Sequence, residues 1–234
     1  MQEIVFILVS PAREENVGAA ARALKTMGFS KLWLVNPQCD HLGVRARATA
    51  HGSNDILENA AIFSSLAEAR AGISLLIGSA AKKRNVAEDY HRVEDLPEII
   101  LGKDDTVEKV GIVFGSEESG LSNEDLALCD LLSTIPMIRK YPSLNLGQAV
   151  MVYAVYLSKL SLVYARKKER PAGENELQVV KQKAAQVLDD VGIDPDGNIF
   201  PRIMERLMLL DKDDLNLFHS FCKFYLKKYH NRLK

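Results

Sequence analysis

The chain has 234 residues, 47% of them hydrophobic and 26% charged, with a formal net charge of -1. A chain of this size buries roughly 70% of its unfolded surface, enough for one sizeable core and a small appended unit. The near-neutral charge excludes an indiscriminate polyanion binder, because non-specific affinity for nucleic acid scales with the phosphates neutralised. No apolar run of about 20 residues is present to span a membrane. The acidic start Met1-Gln2-Glu3 is unlike a basic signal peptide and is expected to open the mature chain. Cys39, Cys129 and Cys222 are odd in number and widely spaced, which suggests neither a disulfide framework nor a zinc site and favours a reducing cytoplasm. The histidines form no His-Glu-x-x-His pattern, so no metal is expected, and His51 with Asp55 reads as a surface pair on a helix.

In chain order, residues 4–9 form a continuous apolar run rich in β-branched side chains, as in a strand buried on both faces. Asn16 reads as the N-cap of a helix whose apolar positions Val17, Ala20, Ala21, Leu24 and Met27 recur at helical spacing, with Gly28 closing it. Further strands are predicted at 32–35, 73–77, 112–114 and 131–135, and helical segments at 61–69 and 122–128. The alternation argues for an α/β fold with an open parallel sheet flanked by helices. Residues 146–163 are so apolar that the helix they predict is buried all round.

The polar, Pro- and Gly-containing stretch 166–174 is the best domain boundary. It separates a unit at 1–165 from a linker at 166–175 and a small all-α unit at 176–234. Three helices are predicted in the last, at 176–191, 201–209 and 213–231, with a turn at Pro195-Asp196-Gly197 and Asp213 or Asp214 as a cap. The final helix interleaves Phe218, Phe221, Phe224, Tyr225 and Tyr229 with Lys223, Lys227 and Lys228. The aromatics read first as the core of a helical bundle, leaving the lysines for RNA; stacking on unpaired bases is the alternative.

Three distant segments carry the functional signal: Asn16-x-Gly18-x-x-x-Arg22, Phe114-Gly115-Ser116-Glu117-x-x-Gly120-Leu121, and Ser143-Leu144-Asn145-Leu146-Gly147-Gln148-Ala149. Each sets glycine or a small polar residue where an apolar run stops, which is where parallel sheets bind ligands. Small residues there, including Gly78-Ser79-Ala80-Ala81, let backbone groups approach a ligand closely. By themselves the loops are either tight turns or the cradle of a nucleotide-like cofactor. The first strand runs into Ser10-Pro11-Ala12-Arg13 with no Gly-x-Gly-x-x-Gly, and no Gly-Lys-Ser/Thr loop occurs, which disfavours a dinucleotide fold, a phosphate-loop fold and the common methyltransferase fold.

Together the three segments resemble the motifs of the SPOUT superfamily, within it the SpoU/TrmH-type RNA ribose 2′-O-methyltransferases, over about residues 3–165. The resemblance implies a deep trefoil knot formed by the second and third segments, with S-adenosylmethionine bound in it. Carried over, it implies cofactor contacts from Ser79, Ala80, Ala81, Gly115, Ile135, Ser143, Leu144 and Asn145. It makes Arg22 the catalytic arginine and Asn16 its positioning partner, with Glu117 of the second motif and Asn145 of the third as the other catalytic candidates. Gly147 stands where the family often has Ala or Ser. Family members pair through the first-motif helix and the apolar helix after the third motif, which implies a homodimer.

The tail resembles the extension of the bacterial TrmJ-like enzymes that methylate an anticodon-loop pyrimidine, which favours tRNA over rRNA as the partner. Candidate RNA contacts are Arg22, Lys82, Lys83, Arg84, Arg139, Lys140, Lys227 and Lys228, with Arg45 and Arg47 as a further patch; each is otherwise a solvated face. Rival expectations are a knotted RNA-binding protein without catalysis and an unrelated nucleotide-binding enzyme acting on a small molecule.

Overall fold

The computed structural model describes residues 2–80, 89–138, 143–166 and 176–230. Among them, β1 (Glu3–Val9), β2 (Lys31–Val35), β3 (Ala61–Phe63), β4 (Leu75–Ser79), β5 (His91–Arg92), β6 (Lys109–Phe114) and β7 (Leu131–Thr134) form one sheet. The order is β3-β2-β1-β6-β4-β7-β5, and every pairing is parallel. The helices are α1 (Glu14–Thr26), α2 (Val44–Ala50), α3 (Asn54–Glu58), α4 (Leu66–Arg70), α5 (Leu96–Leu101), α6 (Asn123–Ala127), α7 (Leu146–Arg166), α8 (Glu176–Asp190), α9 (Ile199–Leu207) and α10 (Lys212–His230).

Side chains alternate across a strand, so β1 feeds both faces of the sheet. Ile4, Phe6 and Leu8 join α1, α2, α3, α5 and α7 on one side, while Val5 and Ile7 join α4 and α6 on the other. Each such fully buried side chain contributes on the order of 1.5–3 kcal/mol. An aromatic chain ties α7 to the sheet: Phe6 lies 5.2 Å from Phe29 and 6.2 Å from Phe114, and Phe114 meets Tyr153 edge-on at 5.1 Å. Among the described residues no helix is long and apolar enough to cross a membrane.

Several local expectations change. Helix α1 begins at Glu14 with Arg13 as N-cap, so Asn16 sits inside the first turn and its amide is free for tertiary bonding. Glu14 and Glu15 in that turn suit the helix dipole. At the other end Gly28 does close the helix: its N-H reaches Lys25 O and that of Phe29 reaches Leu24 O, a Schellman pair. Residues 61–69 are not one helix, because Ala61–Phe63 pairs with the open edge of β2 and only Leu66–Arg70 coils. The strand expected at 73–77 slides to Leu75–Ser79, since Ile73 and Ser74 are held by Arg70 O and Lys109 O. His51 is the left-handed C-cap of α2, and Asp55 pairs with Lys25 at 2.7 Å. Helix α7 is buried along Val150, Tyr153, Ala154, Leu157 and Leu160 but not all round, Val155 being 45% exposed.

The C-terminal helices share the core of the sheet, since Leu177, Val180 and Ala184 of α8 belong to the same apolar cluster as β1. Beside them Asp130 pairs with Arg70 at 2.8 Å and with Lys181, and accepts the Leu76 N-H at 2.7 Å. Asp211, rather than Asp213 or Asp214, caps α10 by accepting the Asp214 N-H at 2.9 Å. Phe221 and Phe224 are exposed, so they are not core of a bundle.

Lys103 is 0% exposed, and its ammonium donates to Leu210 O at 2.5 Å, just past the end of α9. Burial pushes its pKa from 10.5 down to about 8, against the opposing charge of Asp211. Between those two values the unfolded chain holds a proton that the folded chain has shed, so this group makes stability rise with pH across that window. Denaturant melts from pH 7 to 10.5 are expected to show wild type gaining up to about 3 kcal/mol relative to Lys103→Met. A constant difference would overturn the assignment.

Candidate active site

The ends of the central strands lie level. Gly78 of β4 is in register with Val113 of β6, Ser79 with Ser133 of β7, and Leu8 of β1 with Phe114. Ser10, Ala80, Gly115 and Ile135 therefore leave the sheet along one edge, the carboxyl edge at which ligands bind in open parallel sheets. A Cβ on Gly115 would lie 2.0 Å from Gly120 C and 2.1 Å from Leu121 N, so only glycine permits the tight 115–121 turn. The turn is closed by the Gly120 N-H on Ser116 O at 3.0 Å.

A polar relay joins the three motif loops. Asn145 Nδ2 donates to Asn16 Oδ1 at 2.7 Å, and Asn16 Nδ2 donates to Glu117 Oε1 at 2.8 Å. Glu117 also accepts the N-H groups of Ala12 at 3.0 Å and Arg13 at 3.2 Å. An ionised carboxylate only accepts, so it dictates which way the Asn16 amide faces, and that in turn fixes Asn145. Asn145 Oδ1 accepts the Gly147 N-H at 2.8 Å, and its own N-H donates to Gln148 Oε1 at 3.1 Å. Burial opposes ionisation of Glu117, but the bonds from Asn16, Ala12 and Arg13 outweigh it and hold the carboxyl below its ordinary pKa.

Glycine at 147 is required by packing, because a Cβ there would stand 2.7 Å from Ala19 Cβ. Helix α1 thus touches the start of α7. Asn16, Ala19 and Arg22 fall at successive i, i+3 positions of α1, so Arg22 extends the line that begins at the relay. Its side chain is exposed and has no partner among the described residues, and its backbone carbonyl accepts from Thr26 Oγ1 at 2.8 Å.

Of the expected cofactor residues, Ser79, Ala80, Gly115 and Ile135 share the strand-end edge, while Ser143, Leu144 and Asn145 lead into α7. Ala81, Lys82, Lys83, Arg84, Arg139 and Lys140 lie outside the described residues. Lys227 and Lys228 are exposed on α10. Arg47 is engaged by Glu58 at 2.8 Å and Arg45 by Glu15 at 3.3 Å, which makes that patch largely a solvated ion-paired face. Sequence reading missed Gln148 and the N-H groups of Ala12 and Arg13. It also missed Tyr153, whose buried hydroxyl beside Ser133 and Ser79 has its pKa pushed up to about 12, chiefly by desolvation. The apolarity of 146–163 had marked its position only as buried. A cleft of about 670 Å³, lined in part by Arg13, Asn16, Gln38, Cys39 and Arg45, opens beside the relay. Ile135 lines another of about 470 Å³ with Arg92 and Tyr156.

Residues 3–155 match the model of the SpoU rRNA Methylase family. The chain belongs to that family. The SpoU match spans all seven strands and the start of α7, and residues 174–229 match a second model, the C-terminal domain of the tRNA/rRNA methyltransferase LasT. The chain is 40% identical over 216 residues to an uncharacterized tRNA/rRNA methyltransferase LasT of Escherichia coli strain K12, covering 92% of this chain and 94% of that one. It is 37% identical over 178 residues to a tRNA (cytidine/uridine-2′-O-)-methyltransferase TrmJ of Klebsiella pneumoniae, covering 75% and 71%. Among solved structures, TrmJ from Z. mobilis superposes with a TM-score of 0.62 at 29% identity, covering 94% and 98%.

The relay is a set of paired groups in this SpoU chain, so removing one member strands the others. Glu117→Gln would turn an amide N-H toward the donors of Asn16, Ala12 or Arg13. It is expected to cost about 1–3 kcal/mol in urea melts at pH 7. Because the folded carboxyl has a lowered pKa, that difference is present above the ordinary carboxylate range and is lost as pH falls through the folded value. Equal stability of the two proteins at pH 7 would contradict the relay.

Proposed function

We propose that the chain transfers the methyl group of S-adenosylmethionine to a ribose 2′-hydroxyl of RNA, with tRNA as substrate and an anticodon-loop pyrimidine as target. The observation that carries this reading is the relay, which unites Asn16, Glu117 and Asn145 from three distant loops one helical line away from Arg22, whose side chain has no partner among the described residues. The relative named as a tRNA (cytidine/uridine-2′-O-)-methyltransferase supports the substrate class. A ribosomal RNA substrate is the second reading, favoured by the description of the matched family.

The strand-end edge fits the cofactor: the Gly115 turn leaves no room for a side chain, and small residues at Ser79 and Ala80 leave backbone groups accessible. Ser79, Ala80, Ala81, Gly115, Ile135, Ser143, Leu144 and Asn145 would hold S-adenosylmethionine, which supplies an electrophilic methyl group and a neutral leaving group. In-line transfer requires the protein to hold the ribose oxygen within about 3–3.5 Å of that carbon. The relay fixes the loops that do so. Arg22 stays cationic, since a guanidinium holds its proton above a pKa of about 12. It grips an RNA phosphate and stabilises the developing alkoxide, while a phosphate oxygen or water takes the proton.

The same reading includes a trefoil knot, a rare exception to unknotted topology. In its support, the strand order sets β7 between β4 and β5, although β5 precedes β7 in the chain. It includes a twofold homodimer through α1 and α7, with the exposed Val155 on the pairing face. It divides the chain into a methyltransferase domain at 1–165, a linker at 166–175 and a helical RNA-binding extension at 176–234, acting in the cytoplasm. Lys82, Lys83, Arg84, Arg139, Lys140, Lys227 and Lys228 are its RNA contacts.

Tritiated methyl transfer to bulk tRNA tests the activity, and nuclease digestion with mass spectrometry is expected to locate a 2′-O-methyl pyrimidine in the anticodon loop. Label appearing only in ribosomal RNA would favour the second reading, and no label in either would sink both. Arg22→Ala is expected to lower the rate by about 10²–10³ while calorimetry shows S-adenosylmethionine binding unchanged. Activity near wild type would remove Arg22 from the reaction.

A further inference from the structure

Helix α10 ends the described chain with its apolar side turned to solvent. Leu217 is 70% exposed, Phe221 55% and Phe224 74%. The spacing i, i+4, i+7 sets the three on one face, the seam geometry by which one helix packs on another. The opposite face, through Leu215 and Cys222, is buried against the protein, so the seam is not a misplaced core surface. Beside it runs an aromatic row: Phe218 to Phe221 at 6.0 Å, Phe221 to Tyr225 at 6.4 Å and Tyr225 to Tyr229 at 4.7 Å.

Apart from Lys212, which turns to Asp104 at 3.8 Å, and Lys223 midway along, the charges of α10 are segregated by end. Asp213 and Asp214 stand exposed in the first turn, Lys227 and Lys228 near the last. A helix with an acidic head, a basic tail and an apolar seam between them is complementary to itself when reversed. A twofold axis beside Phe221 exchanges Leu217 with Phe224, brings Phe221 against its own mate, and faces Asp213 and Asp214 with Lys227 and Lys228 of the second copy. Such a contact is isologous and closes on itself.

RNA suits the face less well. Leu217 offers no π-surface for a base, and the acidic head repels phosphates. We infer that α10 pairs antiparallel with α10 of a second copy of this chain, through Leu217, Phe221 and Phe224, with its acidic and basic ends in register. This contact is separate from the α1/α7 face and does not depend on the methyl-transfer reading, since a chain inactive on RNA would still form it; where it forms, Lys227 and Lys228 face the second copy and the RNA contacts are left to Lys82, Lys83, Arg84, Arg139 and Lys140.

Thiol cross-linking of the full chain tests it, because a residue on the twofold axis links only to its own mate. Under mild oxidation Phe221→Cys is expected to give a covalent dimer, with the wild-type chain, whose Cys222 is buried, as the reference. Leu217→Cys and Phe224→Cys should each link poorly alone and efficiently when mixed. Adding Asp213→Lys with Asp214→Lys to Phe221→Cys should lower its dimer yield several-fold, and further adding Lys227→Asp with Lys228→Asp should restore it. The inference is overturned if Phe221→Cys links no more than wild type, if the charge reversals leave its yield unchanged, or if tRNA shields the Phe221→Cys thiol from alkylation in a chain that forms no covalent dimer.

Discussion

Everything at the carboxyl edge of the sheet depends on one carboxylate. Glu117 accepts from the Asn16 amide and from the N-H groups of Ala12 and Arg13, and Asn16 in turn accepts from Asn145. The partners are 101 and 129 residues apart in the chain, yet the entropic cost of closing loops rises only slowly with their length. What is expensive is to leave the buried Asn16 amide half-paired, because it forfeits its hydration without recovery. Asn16, buried at the centre, therefore has one productive orientation, and the loops it joins share it.

That relay works because the strands beneath it end level. Parallel pairing from β1 through β7 sends every chain out of the sheet in the same direction, and the register brings Ser79, Phe114 and Ser133 to nearly the same height. The aromatic contacts from Phe29 through Phe6 and Phe114 to Tyr153 hold α7 down on the same side, directly after the loop that carries Asn145. Packing and polar geometry thus support one another at the site.

The C-terminal helices are bound to the sheet by two kinds of contact. Leu177, Val180 and Ala184 extend the apolar core, and Asp130 and Lys103 add buried charges whose partners come from across the junction. Buried ion pairs contribute little net stability because desolvation offsets the attraction, but breaking one is costly. Their effect is to define how α8 and α9 sit against the strands. Net charge near zero leaves recognition to local fields, of which the polarised surface of α10 is one.

The sequence alone determined the parallel α/β plan, because it rests on local signals: continuous β-branched runs alternating with segments of helical periodicity. It misplaced the 61–69 segment, where edge pairing with β2 overrode helical spacing, and it read Asn16 as a cap because a single residue's local role outranks a partner 101 residues away. The exposure of Phe221 and Phe224, the burial of Lys103, and the need for glycine at 147 belonged to the tertiary structure alone. Each depends on which surface another part of the chain covers, and an apolar or charged residue carries no mark of that in its own neighbourhood.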